Sequence, residues 1–169
     1  MIRTIFTLLL ITIALNCGAQ RIEKRYSSYL SEKGTINFFR PKKLDKKVNA
    51  DKFIFDMTYI SKHDSITINC LVATNSGGVA KEFNLKSGER NISGEAVSTL
   101  FRDVVKNGFA IRITSRFLIK DIKESFYNQK PLIFNITLTD GTTCMATYKP
   151  SKWKKESLQI TRILESINY

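Results

Sequence analysis

Hydrophobic and polar positions alternate most regularly between Lys52 and Thr74. Phe53, Phe55, Met57 and Tyr59 share one side, and Ile54, Asp56, Thr58 and Ile60 the other. Ile66, Ile68, Cys70 and Val72 repeat the period of two, and Lys62-His63-Asp64 supplies a turn between the two runs. That pattern predicts a β-hairpin. A second hairpin follows from Leu132–Thr139 and Thr142–Lys149 around Asp140-Gly141, a two-residue turn signal. Shorter strands are expected over Thr35–Arg40, ended by Pro41, over Ala80–Leu85 and over Phe109–Phe117.

Helical spacing marks other segments. Ser93 is placed to cap a helix over Gly94–Val105, with Val97, Leu100, Phe101 and Val104 on one face and Asn107-Gly108 closing it. Leu118, Ile122 and Phe126, four apart, predict a shorter helix over Leu118–Asn128. After Pro150, Trp153, Ser157, Ile160, Leu164 and Ile167 form one stripe, as in a helix lying on a sheet. Arg21–Lys33, with Ile22, Tyr26, Tyr29 and Leu30 at helical spacing, reads as a short helix or an N-terminal arm over residues 20–34. Pro41–Asn49 and Lys86–Asn91 read as polar loops.

Strands come early and late, with helices inserted between them. The expected class is therefore α+β. It has a mainly antiparallel sheet of about six to seven strands, two inserted helices and a C-terminal amphipathic helix on one face. A β-sandwich with helical insertions is the alternative. Residues 20–169 suit one domain of this kind.

The first residues change the picture of where the chain works. Arg3 gives a basic start, Ile5–Leu15 an uncharged, mostly apolar run, and Cys17-Gly18-Ala19-Gln20 a small-residue end. That order reads as a signal peptide over residues 1–19 and predicts a periplasmic or secreted protein. The apolar run is about 11 residues, short of the roughly 20 a membrane span needs, so no transmembrane segment is expected after signal removal. Cleavage after Ala19 leaves Gln20 as the N-terminus. Cleavage before Cys17 would instead expose a thiol for lipid attachment, but Asn16 stands where a small residue is wanted.

Lys and Arg number 27 against 15 acidic residues, a formal net charge of +12. In a cytosolic chain this would suggest nucleic acid. In an exported one it points to an acidic protein partner or an anionic envelope component. Lys42, Lys43, Lys46 and Lys47, around Leu44, form the densest basic cluster and are the candidate binding residues.

Catalytic sets are sparse. His63 is the only histidine and sits beside Asp64 in a turn. With Cys70 and Cys144 it makes no compact zinc spacing, and neither a metal nor another cofactor is expected. Ser76-Gly77-Gly78 lacks the Gly-Lys-Ser/Thr of a phosphate loop. Cys70 and Cys144 are candidates for a disulfide in an oxidising compartment, or for buried free thiols. Asp56, inside an aromatic strand, is the one acid whose burial would suggest a carboxylate-dependent hydrolase. Phe38, Phe39, Phe53, Phe55, Tyr59, Phe109 and Phe117 would suit either a core or an aromatic ligand pocket. The leading expectation is a non-enzymatic, exported binding protein. A small secreted hydrolase and a ligand carrier are the alternatives.

Overall fold

The computed structural model describes residues 25–128 and 130–167 of the chain. The expected signal over residues 1–19, with Cys17, lies outside them. Among the described residues, eleven strands form two open antiparallel sheets. The larger sheet runs β1 (Tyr26–Ser31), β2 (Gly34–Lys43), β4 (Lys52–Ile60), β5 (Ser65–Thr74), β9 (Gly108–Leu118), β8 (Glu95–Val105). The smaller runs β3 (Lys46–Val48), β11 (Thr143–Thr147), β10 (Leu132–Leu138), β6 (Ala80–Ser87), β7 (Arg90–Ser93). Two helices occur among the described residues, α1 (Ile119–Tyr127) and α2 (Pro150–Ser166). Neither is long and apolar enough to cross a membrane.

The period-two runs bury one side each, as alternation requires. Phe53, Phe55, Met57 and Tyr59 of β4, and Ile66, Ile68, Cys70 and Val72 of β5, are buried. Phe53 and Phe55 meet the smaller sheet, and Met57 lies toward the last helix. Phe134 of β10 lies 4.6 Å from the Phe55 ring and 6.0 Å from Phe53, and Phe83 of β6 meets Phe117 of β9 edge-on at 5.1 Å. Such tilted and edge-on pairs add to what burial contributes, roughly 0.5–1.5 kcal/mol each.

Both expected hairpins form. Asp56 pairs with Asn69 in the first, and Lys62 takes a left-handed φ of 72° in its turn. In the second, Leu138 N–H donates to Thr142 O at 2.8 Å around Asp140-Gly141. The Trp153, Ser157, Ile160 and Leu164 stripe of α2 is buried. Its N-terminal end stacks Trp153 on Phe126 of α1, centroids 5.3 Å apart, while Ile160 and Ile163 face Phe39, Phe55 and Met57 of the larger sheet.

Several expectations are corrected. Gly94–Val105 is not a helix but lies almost entirely in strand β8. Asn107-Gly108 serves both as a helix end and as a hairpin turn, and here Val105 pairs with Gly108 across a tight turn to β9. Of the residues at helical spacing only Val97 packs against the core, while Leu100 is 58%, Phe101 44% and Val104 82% exposed. Gly94 is not the start of a helix but the point where the chain passes from the smaller sheet to the larger. A Cβ there would lie 2.8 Å from Phe83 O and 2.2 Å from Ser115 Oγ. Within the expected N-terminal helix or arm, Tyr26–Ser31 is strand β1. Pro41–Asn49 is largely strand, because a register shift between Phe39 and Lys42 lets β2 run past the proline. Lys86–Asn91 is a hairpin of β6 and β7 turning at Gly88, φ 63°.

Cys70 and Cys144 are free and buried, one in each sheet. Burial pushes both thiols above the ordinary cysteine range.

Strand and helix at Gly94–Val105 predict opposite outcomes. In a helix, Gly94→Ala would stabilise and Ser93→Ala, by removing the cap, would cost about 1 kcal/mol. In this fold Gly94→Ala costs about 1–3 kcal/mol through overpacking against Phe83 O, and Ser93→Ala stays within about 0.5 kcal/mol. Urea unfolding of the two variants distinguishes them.

Candidate functional site

The basic cluster is built around a single buried anchor. Leu44, between Lys43 and Asp45, is fully buried and donates its backbone N–H to Phe53 O at 2.9 Å. This pins the β2–β3 corner to β4. The lysines around it then follow strand alternation to different sides. Lys42, opposite Phe55, turns inward, whereas Lys43, opposite Ile54, lies on the open side of the larger sheet. Lys46 is exposed beside Thr147, and Lys47 folds back to donate to the Asp51 carbonyl.

Tertiary contacts add cations that are distant in sequence. Buried Glu156 of α2 accepts Arg25 Nη1 at 2.8 Å and lies 3.8 Å from Lys42 Nζ. Burial lowers the Lys42 pKa, with Glu156 opposing it. Asp45 accepts Lys152 Nζ at 3.0 Å, and that ammonium also lies 5.3 Å from the Tyr148 ring centroid. The Lys152 bond, aided by the Lys149 backbone, holds the Asp45 carboxyl below its ordinary range. A negative charge thus stands by the start of α2, which has no acidic residue in its own first turn.

The result is a corner with two kinds of cation. Arg25, Lys42 and Lys152 are tied to Glu156 and Asp45. Arg40, Lys43, Lys46 and Lys149 are exposed and belong to no ion pair among the described residues. Arg25, Lys149 and Lys152 were not legible as members. They come from the strand β1 end and the β11–α2 junction, and only the pairing of Lys46 with Thr147 brings that junction alongside.

Asp56 is buried, as the hydrolase reading required, but its surroundings are those of a structural ion pair. Its side chain, 1% exposed, accepts Arg112 Nη2 on one oxygen at 2.5 Å and Asn69 Nδ2 on the other at 2.8 Å. Both carboxylate oxygens are thus engaged by neighbouring side chains of the same sheet. The aromatics of the carrier reading, Phe53, Phe55 and Phe117, fill the space between the sheets and contact Phe134 or Phe83. A concave surface of about 510 Å³ is instead polar, lined by Asn49, Asp51, Thr74, Asn75, Ser76 and Thr142 among others. His63 is exposed in the β4–β5 turn. No group of three or more His, Cys, Asp or Glu suited to a metal ion occurs among the described residues.

No protein-family model matches the chain, and searches of curated proteins and of solved structures found no significant match.

Two outcomes test these assignments. Arg112→Ala leaves a buried carboxylate unpaired and costs about 3–5 kcal/mol in denaturant unfolding, and adding Asp56→Asn recovers part of it. At the corner, Asp45 has a folded pKa below its unfolded value, so its contribution is complete above about pH 4 and is lost as pH falls through the folded value. Asp45→Asn is therefore less stable than the parent at pH 7, and the gap closes toward acid pH in unfolding curves measured across pH.

Proposed function

We propose that the protein is an exported, non-enzymatic binding protein that docks an acidic protein or an anionic envelope surface on the corner formed by β2, β3 and the start of α2. One observation carries this reading. Arg40, Lys43, Lys46 and Lys149 are exposed and form no ion pair among the described residues, at a corner whose backbone is held by buried Leu44 and by three internal ion pairs. A charged surface on a rigid support loses little conformational freedom when it binds. Asp45 and Glu156 offset two of the three positive charges of Arg25, Lys42 and Lys152, and the corner keeps a positive field.

Export is supported by the basic, apolar and small-residue order of Met1–Gln20, with release to the periplasm or medium after Ala19 and a lipid anchor at Cys17 as the alternative. In that compartment phosphate-bearing lipids, acidic glycans and acidic proteins are the available counterparts of a strongly basic chain. The hydrolase reading loses its leading residue because Asp56 is held by Arg112 and Asn69.

The test compares placement with net charge. Binding to vesicles of anionic lipid, and to an acidic protein such as a polyglutamate carrier, is measured over a salt series. The triple variant Lys43→Glu, Lys46→Glu, Lys149→Glu is expected to bind at least tenfold more weakly with a shallower salt dependence. A control with the same charge change elsewhere, Lys81→Glu, Lys106→Glu, Lys120→Glu, keeps most of the affinity. Equal losses in both would overturn the corner as the site.

A further inference from the structure

The far edge of the larger sheet carries a different kind of surface. β8 ends the strand order, so one side of its backbone has no partner strand among the described residues. It is 11 residues long, and within it Leu100 is 58%, Phe101 44%, Val104 82% and Val105 40% exposed. Phe101–Val105 pairs with β9 without a register shift, so this half of the strand is straight, while the irregular part lies before it. A long, apolar edge of unpaired N–H and C=O groups is a template for another strand.

Charge selects the occupant. β8 carries Glu95, Arg102 and Asp103, a slightly acidic balance in a chain of +12. Arg102 is folded back, donating to the Gly77 carbonyl with its guanidinium 5.4 Å from the Phe109 ring centroid. With exposed Lys106 in the turn that follows, this edge is close to neutral, so a second copy can approach it without meeting a concentration of positive charge. β8 also lies four strands from β2 in the sheet, roughly 19 Å at ordinary strand spacing. That exceeds the screening length of about 8–10 Å at physiological salt.

We propose that β8 is a dimerisation edge, where two copies pair their β8 strands antiparallel to join two larger sheets into one. Antiparallel pairing of identical strands generates a two-fold axis normal to the sheet, so the assembly closes at two copies. Pairing β8 with β1, the opposite edge, is head-to-tail and would leave open ends. β1 is shorter, at six residues, although Leu30 on it is 84% exposed. The β8 dimer places its two basic corners at opposite ends, which makes any anionic surface a bivalent target. The dimer itself does not depend on that binding.

The test is the mass of the full chain by light scattering across a concentration series, with hydrogen exchange on the same samples. The expected result is a monomer–dimer equilibrium in which amides of residues 101–105 exchange more slowly as concentration rises. Leu100→Lys with Val104→Lys is expected to weaken association at least tenfold while leaving the thermal unfolding of the monomer unchanged, because both side chains are already in water. A monomer at every concentration overturns the proposal. So does an association that survives this variant, or one that Leu30→Lys on β1 abolishes.

Discussion

Phe134 stands where the two sheets meet, against Phe53 and Phe55 of β4 across the interface and Phe83 beside it in its own sheet. Each sheet taken alone would expose one apolar face, and an antiparallel sheet becomes stable when that face is covered. The aromatic contact fixes how closely and in what register the faces approach. The other placements follow from it. The β2–β3 corner must cross from the larger sheet to the smaller at one end, and the β7–β8 passage at Gly94 must return near the other. At Gly94 the approach to Phe83 O and Ser115 is close enough to leave no room for a side chain.

The basic corner is a consequence of that crossing. Leu44 is buried because the chain has to bend there while staying packed on Phe53. Once the bend is pinned, β3 lies beside β11, and the start of α2 comes with it. Glu156 and Asp45 then have a structural task. They compensate Arg25, Lys42 and Lys152, which would otherwise repel one another at close range. Lys43 and Lys46, which form no ion pair among the described residues, are turned outward by strand alternation. The same economy explains Asp56. On the open side of the larger sheet it is covered by Arg112 and Asn69 from strands on the same sheet, so its burial reflects pairing across strands and not an enclosed pocket.

Alternation made the β4–β5 and β10–β11 hairpins legible, because a face buried at every second residue leaves an unmistakable trace in sequence. The stripe on α2 was legible for the same reason, at period 3.6. The segment Gly94–Val105 was not. An edge strand with both faces largely in water has no buried face to impose a period, so Val97, Leu100, Phe101 and Val104 fell at helical spacing without packing as a helix. β1 and β3 escaped notice for a related reason. They are short edge strands, recruited by the strand beside them more than by their own pattern.

The chain's sequence by itself therefore determined the two central hairpins, both helices and the amphipathic face of the last one, and the excess of positive charge. Each depends on local periodicity or on composition, which a linear chain carries openly. Only the tertiary structure decided that there are two sheets facing each other, that Lys42, Lys43, Lys46 and Lys47 point in different directions, that Arg25, Lys149 and Lys152 join them, and that Asp56 is held by Arg112. Those depend on which strands become neighbours. Strand neighbours are chosen by the burial of whole faces against one another, a property of the assembled sheets that no single segment encodes.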